Sequence, residues 1–292
     1  MVSIIIVNYK TAKLTCNCIS SIYKQVRCVE FEIIVVDNAS GDRSAFIIQD
    51  QYPDVIVIQS SVNLGFGRAN NLGVQYAQGE YLFLLNSDTI LKNDPFSYFL
   101  SYLQEHRDEK IGVLGAFLIS SNGEYSKSGG RFYTIKKYLK LALKSYCPIF
   151  KSVEVDIDKN ILEVDYVIGA DMFLKKKIFE ELKGFDDRIF MYFEDVELCK
   201  RIHDKGYSSF LLKGPEIIHL VSASSTSQFS RIYNTASLIY CLKKTYVGWK
   251  VFFFQLFYFI LKFPILFIDY KKRSDNWTYL KTIWCYKKYL LQ

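Results

Sequence analysis

The chain has 292 residues, half of them apolar and 23% charged, with a formal net charge of +7. That is enough apolar material for a sizeable core without disulfides or a structural metal, and it excludes a disordered chain; the length points to about two domains. Seven cysteines (Cys16, Cys18, Cys28, Cys147, Cys199, Cys241, Cys285) are scattered without CxxC spacing, which fits mostly buried thiols in a reducing compartment and argues against a zinc site or disulfide framework.

The opening MVSIIIVNYK lacks a basic leader and a small-residue cleavage site and reads as a strand, so the main domain is expected to stay in the cytoplasm. The spacing of Leu14, Cys18 and Ile22 predicts a helix over Ala12–Gln25, and FEIIVVDNASGD gives a second strand and a turn before a helix through Phe46 and Ile47. Residues 55–58 (VIVI) form a third strand, LGFGRANNLGVQYA a loop entering a helix, and residues 81–85 (YLFLL) a strand apolar on both faces. This alternation predicts an α/β, Rossmann-like, mostly parallel sheet flanked by helices, with ligands bound outside the carboxyl ends of the strands. After Phe96 the alternation loosens. IGVLGAFLIS and VDYVIGADMFL read as strands, residues 131–160 as a mobile basic and aromatic loop, KKIFEELKGFDD as a helix stopped by Gly184, and EDVELCKRIHDKG as another closed by Gly206.

The strand ends carry polar residues: Asn8, Asp37, Asn63 after the third strand, and Asn86 with Asp88 after the fourth. Singly each is a turn former or a helix cap; at matching ends of four parallel strands they converge on one crevice. Asp88 among side-chain oxygens suits a hard divalent cation that keeps positions open for phosphate oxygens. The loop NLGFGRANNLG opens a helix and carries Arg68, so backbone amides and a guanidinium can face a phosphate. It departs from the dinucleotide fingerprint at the sixth position and follows the third strand, which argues against a nicotinamide enzyme. Glu194 and Asp195 begin a helix, either as ordinary first-turn acidic bias or as a carboxylate base for an attacking hydroxyl. His219 ends an apolar run and on its own reads as a structural histidine; His106 and His203 sit in polar helical settings.

In order along the chain, SIIIVNYK, IIVVDNASGD, NLGFGRANNLG, YLFLLNSDTIL, GADMFLKKKIFEELKGFDDRIFMYFEDVELCKRIHDKG and HLVSASS resemble the family 2 glycosyltransferases of the GT-A fold. The similarity runs over roughly residues 2–227, in the branch containing bacterial rhamnosyl- and galactofuranosyltransferases. The resemblance implies that Asn8 and Asp37 hold the nucleoside and that Asn63, Arg68, Asn71 and Asn86 belong to the donor pocket. It makes Asp88 and His219 ligands of a divalent cation, Mn or Mg, Asp195 the general base and Glu194 its support. The implied reaction is metal-assisted direct displacement with inversion, moving a hexosyl or deoxyhexosyl group. The donor is a dTDP- or UDP-linked sugar and the acceptor a hydroxyl of a saccharide or polyprenyl-linked saccharide in surface polysaccharide synthesis, with no nucleic acid as partner. Two departures stand out. Asn86 replaces the first acid of the family's DxD metal motif, which weakens metal affinity, and Asp171 occupies a position usually small or apolar, which implies an unusual acceptor pocket.

A domain boundary is expected at 227, with residues 228–292 forming a helical, basic and aromatic, membrane-associated appendage. Residues 251–268 are interrupted only by Gln255, Lys262 and Pro264, and helical spacing gathers Gln255, Tyr258 and Lys262 on one narrow face. Lys271, Lys272, Arg273, Trp277, Trp284, Lys287 and Lys288 follow, a composition suited to a membrane interface. An in-plane or re-entrant helix is favoured over a full span, and a span over a helix buried against the main domain. Either membrane reading places the enzyme at the cytoplasmic face of the membrane as a peripheral or monotopic protein. A nucleotidyltransferase, which would carry a basic signature near the first strand, and a non-catalytic nucleotide-sugar scaffold are the alternatives.

Overall fold

The first strand is apolar on both faces because it becomes a central strand: Val2, Ile4, Ile5 and Ile6 are completely buried. The computed structural model describes residues 1–132, 134–144, 159–220, 227–268 and 273–291. In chain order the elements are β1 (Val2–Asn8), α1 (Ala12–Gln25), β2 (Phe31–Asp37), α2 (Ser44–Gln51), β3 (Ile56–Gln59), α3 (Gly65–Val74), β4 (Tyr81–Asn86), β5 (Thr89–Leu91), α4 (Pro95–Glu105), β6 (Ile111–Ala116) and β7 (Gly129–Gly130). There follow α5 (Ile135–Lys144), β8 (Ile161–Val164), β9 (Tyr166–Val167), β10 (Asp171–Lys175), α6 (Lys176–Glu181), α7 (Glu194–Asp204), β11 (Ser208–Leu212), β12 (Ile217–His219), α8 (Ser227–Thr245), α9 (Gly248–Lys262), α10 (Ile265–Ile268) and α11 (Arg273–Cys285).

These elements form two units. The first comprises Met1–Arg131, Val155–Asp186 and Asp195–Ser222. Its eight-stranded sheet has the order β3-β2-β1-β4-β10-β6-β11-β8. Strands β3, β2, β1 and β4 run parallel, as the βα alternation requires, while β10 enters antiparallel between β4 and β6. Register fixes the polar tips: Asn8 pairs with Asp37, and Val7 with Asn86, so these strand ends lie along one edge. An aromatic block holds the middle of the sheet. Asp94 accepts a hydrogen bond from Phe96 N–H at 3.0 Å and Pro95 starts α4, which delivers Phe96 and Phe99 onto Phe83 and Phe173.

Three local expectations change. The run VDYVIGADMFL is broken by a turn at Gly169 and Ala170 into β9 and β10. The stretch LLNSDTIL does not simply end a strand: after Asn86 the chain turns and re-enters extended structure as β5, which pairs antiparallel with β12. The basic stretch after 131 is not a loop throughout, since it contains α5; residues 145–158 lie outside the described ones.

The second unit comprises Phe132–Glu154, Asp187–Glu194 and Ala223–Gln292. Helices α8, α9 and α11 pack together in it, and the polar face of α9 turns inward. Gln255 donates to the carbonyl of Ile283, and the hydroxyls of Tyr258 and Tyr279 meet at 2.9 Å. The division of the sequence at 227 and this grouping differ over 132–154, 187–194 and 223–227, which fall in the second unit.

Asp171 departs from the expectation of an unusual acceptor pocket. It is completely buried, lines no open surface, and its Oδ2 accepts the N–H of Ala116 at 2.5 Å, bridging the end of β6 to the start of β10. Its Oδ1 has no hydrogen-bond partner among the described residues. Burial pushes its carboxyl well above the usual range, opposed only by the Ala116 bond. The unfolded chain therefore loses this proton at a lower pH than the folded one does. Between the ordinary carboxylate pKa and the raised folded value, stability falls as pH rises, by about 1.4 kcal/mol per pH unit. Asp171→Asn keeps the carbonyl acceptor and removes the ionisation. Its melting temperature relative to wild type is expected to rise with pH above the ordinary carboxylate range, by about 4 °C per pH unit until the raised folded pKa is passed, in thermal unfolding followed by circular dichroism.

Candidate active site

The edge where β1, β2 and β4 end is organised by Asn8. Its Nδ2 donates to Asp37 Oδ1 at 2.6 Å and to Ser40 Oγ at 3.1 Å. Its Oδ1 accepts the hydroxyls of Thr11 at 3.1 Å and Thr15 at 2.8 Å. All four hydrogen-bonding positions of the amide are filled and the residue is completely buried. Asn8 thereby positions Asp37. Asp37 also takes the Ser40 hydroxyl at 2.5 Å on Oδ1, leaving Oδ2 with only the longer Ser40 N–H contact of 3.3 Å. Lys10 and Ala39 on either side adopt left-handed backbone, at φ 57° and 59°, a cost that clusters at functional sites.

The loop into α3 is held by Asn38, which sequence reasoning passed over. Its side chain donates to Asn63 Oδ1 at 3.0 Å and to the Gly65 carbonyl at 3.2 Å, and accepts Leu64 N–H at 2.7 Å. Gly65 sits at φ 77°, where a side chain would be strained, and its N–H donates to Asn63 Oδ1 at 2.9 Å. Asn63 thus shapes the loop. Asn71 is occupied elsewhere: it clamps both backbone groups of Phe185, each at 2.9 Å, against left-handed Gly184. Arg68, partly exposed on the first turn of α3, makes no hydrogen bond or ion pair among the described residues, so its charge is available to a ligand.

Across the edge, β12 brings His219 opposite Thr89, and the N–H of Leu220 donates to the Asp88 carbonyl at 2.9 Å. The His219 Nε2 lies 3.4 Å from Asp88 Oδ1 and 3.4 Å from Asn86 Nδ2. The Ser87 hydroxyl lies 3.3 Å from that of Thr11, which is bonded to Asn8. A chain of contacts thus runs from Asp37 through Asn8, Thr11 and Ser87 to the Asn86–Asp88–His219 group. Among the described residues, no three or more His, Cys, Asp or Glu side chains surround a common point.

Asp195 is tied to the same edge through the turn before β10. The N–H of Asn86 donates to the Ala170 carbonyl at 3.0 Å, and the N–H of Gly169 donates to Asp195 Oδ2 at 2.9 Å. Phe66 packs over Gly169: a Cβ there would lie 2.9 Å from its ring, which would have to shift. Burial raises the Asp195 carboxyl, while the amides of Gly169 and Val196 and the charge of Lys127 pull it back down. Lys127 is a residue that sequence reasoning missed. The β7–β9 pairing continues through Ile168 N–H to the Ser128 carbonyl at 3.0 Å, which sets Lys127 opposite Gly169. Glu194, the residue before, is buried, and Tyr192 and Phe193 ahead of it hold left-handed backbone at φ 65° and 68°.

The model of the family described as Glycosyl transferase family 2 matches residues 3–162, more than half of the chain. The chain belongs to glycosyl transferase family 2. With that, the nucleotidyltransferase and scaffold readings give way to a glycosyltransferase. Among curated relatives of this glycosyltransferase, the rhamnosyltransferase WbbL of Escherichia coli is 26% identical over 210 residues, covering 70% of this chain and 78% of WbbL. The N-acetylglucosaminyl-diphospho-decaprenol L-rhamnosyltransferase of Mycobacterium tuberculosis is 23% identical over 205 residues, covering 64% of this chain and 66% of the relative. Among solved structures, the mannosyltransferase PcManGT of Pyrobaculum calidifontis, in complex with GDP-Man and Mn2+, superposes with a TM-score of 0.57 at 15% identity. That match covers 98% of this chain and 73% of PcManGT, and it shows the shared GT-A fold.

The geometry separates scaffold from contact residues. Asn8→Ala strands the Asp37 carboxylate and the Thr15 hydroxyl in a buried site and is expected to cost about 2–4 kcal/mol of stability. Arg68→Ala is expected to change stability by less than about 0.5 kcal/mol. Urea denaturation of the two variants checks the contrast.

Proposed function

We propose that this glycosyltransferase inverts: it moves a sugar, rhamnosyl by preference, from a dTDP- or UDP-linked donor to a hydroxyl of a saccharide or polyprenyl-linked saccharide in surface polysaccharide synthesis. The observation that carries the reading is the continuous edge from Asp37 to the Asp88–His219 pair, with Asp195 suspended from Gly169 at the neighbouring turn. The names of the two rhamnosyltransferase relatives support the sugar, and the decaprenol in one of them supports a lipid-linked acceptor.

Each residue has a task that follows from its chemistry. Asp37 Oδ2 accepts a hydrogen bond from the nucleoside, and Arg68 faces the diphosphate. Asp88 and His219 fit a divalent cation, Mn or Mg: the chain supplies two side-chain ligands, and a hard cation of this kind takes its remaining ligands from phosphate and water. Such a cation would offset the negative charge that grows on the leaving diphosphate. PcManGT, crystallised with Mn2+, supports this assignment. Asp195 takes the proton of the acceptor hydroxyl, whose oxygen attacks the anomeric carbon opposite the diphosphate, inverting it. A carboxyl raised by burial is a stronger base than an ordinary aspartate, and the Gly169 amide fixes its direction.

The second unit supports a peripheral or monotopic place at the cytoplasmic face of the membrane. Gly248–Phe267 is long and apolar enough to cross a bilayer, with only 28% of its apolar window buried. Its buried residues include Gln255 and Tyr258, while Trp249, Phe252, Phe253, Phe257 and Ile260 are exposed. A helix that turns polar groups inward and aromatics outward is built for lipid, and the inward polar bonds favour an in-plane seat on the bilayer over a span.

Two outcomes test the reading. Sugar transfer from the preferred nucleotide sugar is expected to stop in EDTA and return with Mn2+ or Mg2+, with an inverted anomer by NMR; retention of configuration would sink it. Asp195→Asn is expected to lower kcat by roughly 10²–10⁴-fold. Because Asp195 acts only when ionised and burial raises its pKa, the wild-type rate should fall as pH drops, with the acid limb above the ordinary aspartate range. Wild-type activity in the Asn variant would reject it as the base.

A further inference from the structure

Helices α8, α9 and α11 enclose a pair of cations that no catalytic role uses. The Arg231 guanidinium lies 4.2 Å from the centroid of the Tyr279 ring, and its Nη1 donates to Asn276 Oδ1 at 3.0 Å. The Lys262 ammonium lies 5.9 Å from the centroid of the Tyr258 ring. Since the two tyrosine hydroxyls meet at 2.9 Å, the cations flank one aromatic pair. Burial, and after it the charge of Arg231, lowers the Lys262 pKa, so the positive groups feel each other. The decisive feature is Arg231 Nη2, which is buried and has no hydrogen-bond partner among the described residues. An unsatisfied guanidinium nitrogen beside a second cation is costly, and an anion seated there would satisfy it.

The chemistry of that anion follows from the surroundings. Planar guanidinium donors match phosphate oxygens, and lysine serves phosphate as a point charge. Lys262 ends the helix whose outward face is apolar, with exposed Ile260 before it and exposed Phe263 after it. A phosphate arriving with an aliphatic chain would satisfy both features at once. We propose that Arg231 and Lys262 form a binding site for the phosphate group of a membrane lipid, seated while the aromatic face of α9 lies in the bilayer. The site rests on the lipid-surface reading of α9 given above and adds to it a specific headgroup contact.

Flotation of the full-length protein with vesicles tests the two layers separately. Phosphatidylcholine vesicles report the aromatic face, and Phe252→Ser with Phe253→Ser is expected to abolish that binding; if wild type ignores all vesicles, the lipid-surface reading fails. Adding a polyprenyl phosphate, or phosphatidylglycerol in a parallel arm, is expected to raise wild-type binding on the order of five- to tenfold, and the stronger arm identifies the lipid source. Arg231→Met and Lys262→Met should each lose that increment while keeping their binding to phosphatidylcholine. In EDTA and an Arg68→Ala background, which disable the donor diphosphate site, inorganic phosphate should raise the melting temperature of protein with Arg231 and Lys262 intact and should not do so once either is Met, a readout that needs no membrane. An increment that survives in both variants, or no phosphate shift with both residues intact, overturns the site.

Discussion

The edge of the sheet depends on one saturated amide. Asn8 ends β1 with both of its amide hydrogens on the β2 side, at Asp37 and Ser40, and both lone pairs filled by Thr11 and Thr15 at the start of α1. Parallel strands deliver polar tips to one edge, but register alone does not fix where a carboxylate points. A fully buried, fully bonded side chain does, because any rotation of Asp37 would leave donors in the interior without acceptors. Through Thr11 and Ser87 the same constraint reaches the turn that carries Asp88, so the Asp37 side and the Asp88 side of the edge are set by one network.

The opposite half of the site is placed by backbone. The antiparallel entry of β10 beside β4 sets the turn at Gly169 and Ala170 against the end of β4, and Asn86 and Asp195 each bond to that turn. Asp195 is therefore referenced to the strand that leads to Asp88 through the backbone of that turn. Lys127 approaches the same turn from the β7 side, and its charge offsets part of the upward push that burial gives the Asp195 carboxyl. Asp171 does for the sheet what Gly169 does for the site: its carboxyl closes the gap where β6 ends.

The second unit applies the usual rule of patterning in reverse. On α9 Gln255 and Tyr258 face inward and find partners on α11, while Trp249, Phe252, Phe253 and Phe257 face out. In water this arrangement would be unfavourable over so large a surface; against lipid it removes the penalty and leaves the inward polar contacts to hold the helices in register.

The strands, their polar ends and the glycine-rich loop were legible in the sequence because they are local: apolar runs of strand length, turn formers after them, and helical spacing between. Family membership was legible for the same reason, since six ordered motifs stand at those ends. The division of labour among the polar residues was not. Asn8, Asn63 and Asn71 read like Arg68 as candidates for a ligand, yet their amides are engaged with residues 25 to 114 positions away, or with neighbours two to seven residues on. Only tertiary structure decided that, as it decided the antiparallel insertion of β10, the place of Lys127 and the pairing of Asp88 with His219. Periodicity encodes which face of an element is buried; which donor meets which acceptor across the fold depends on distances that exist only once the sheet has closed.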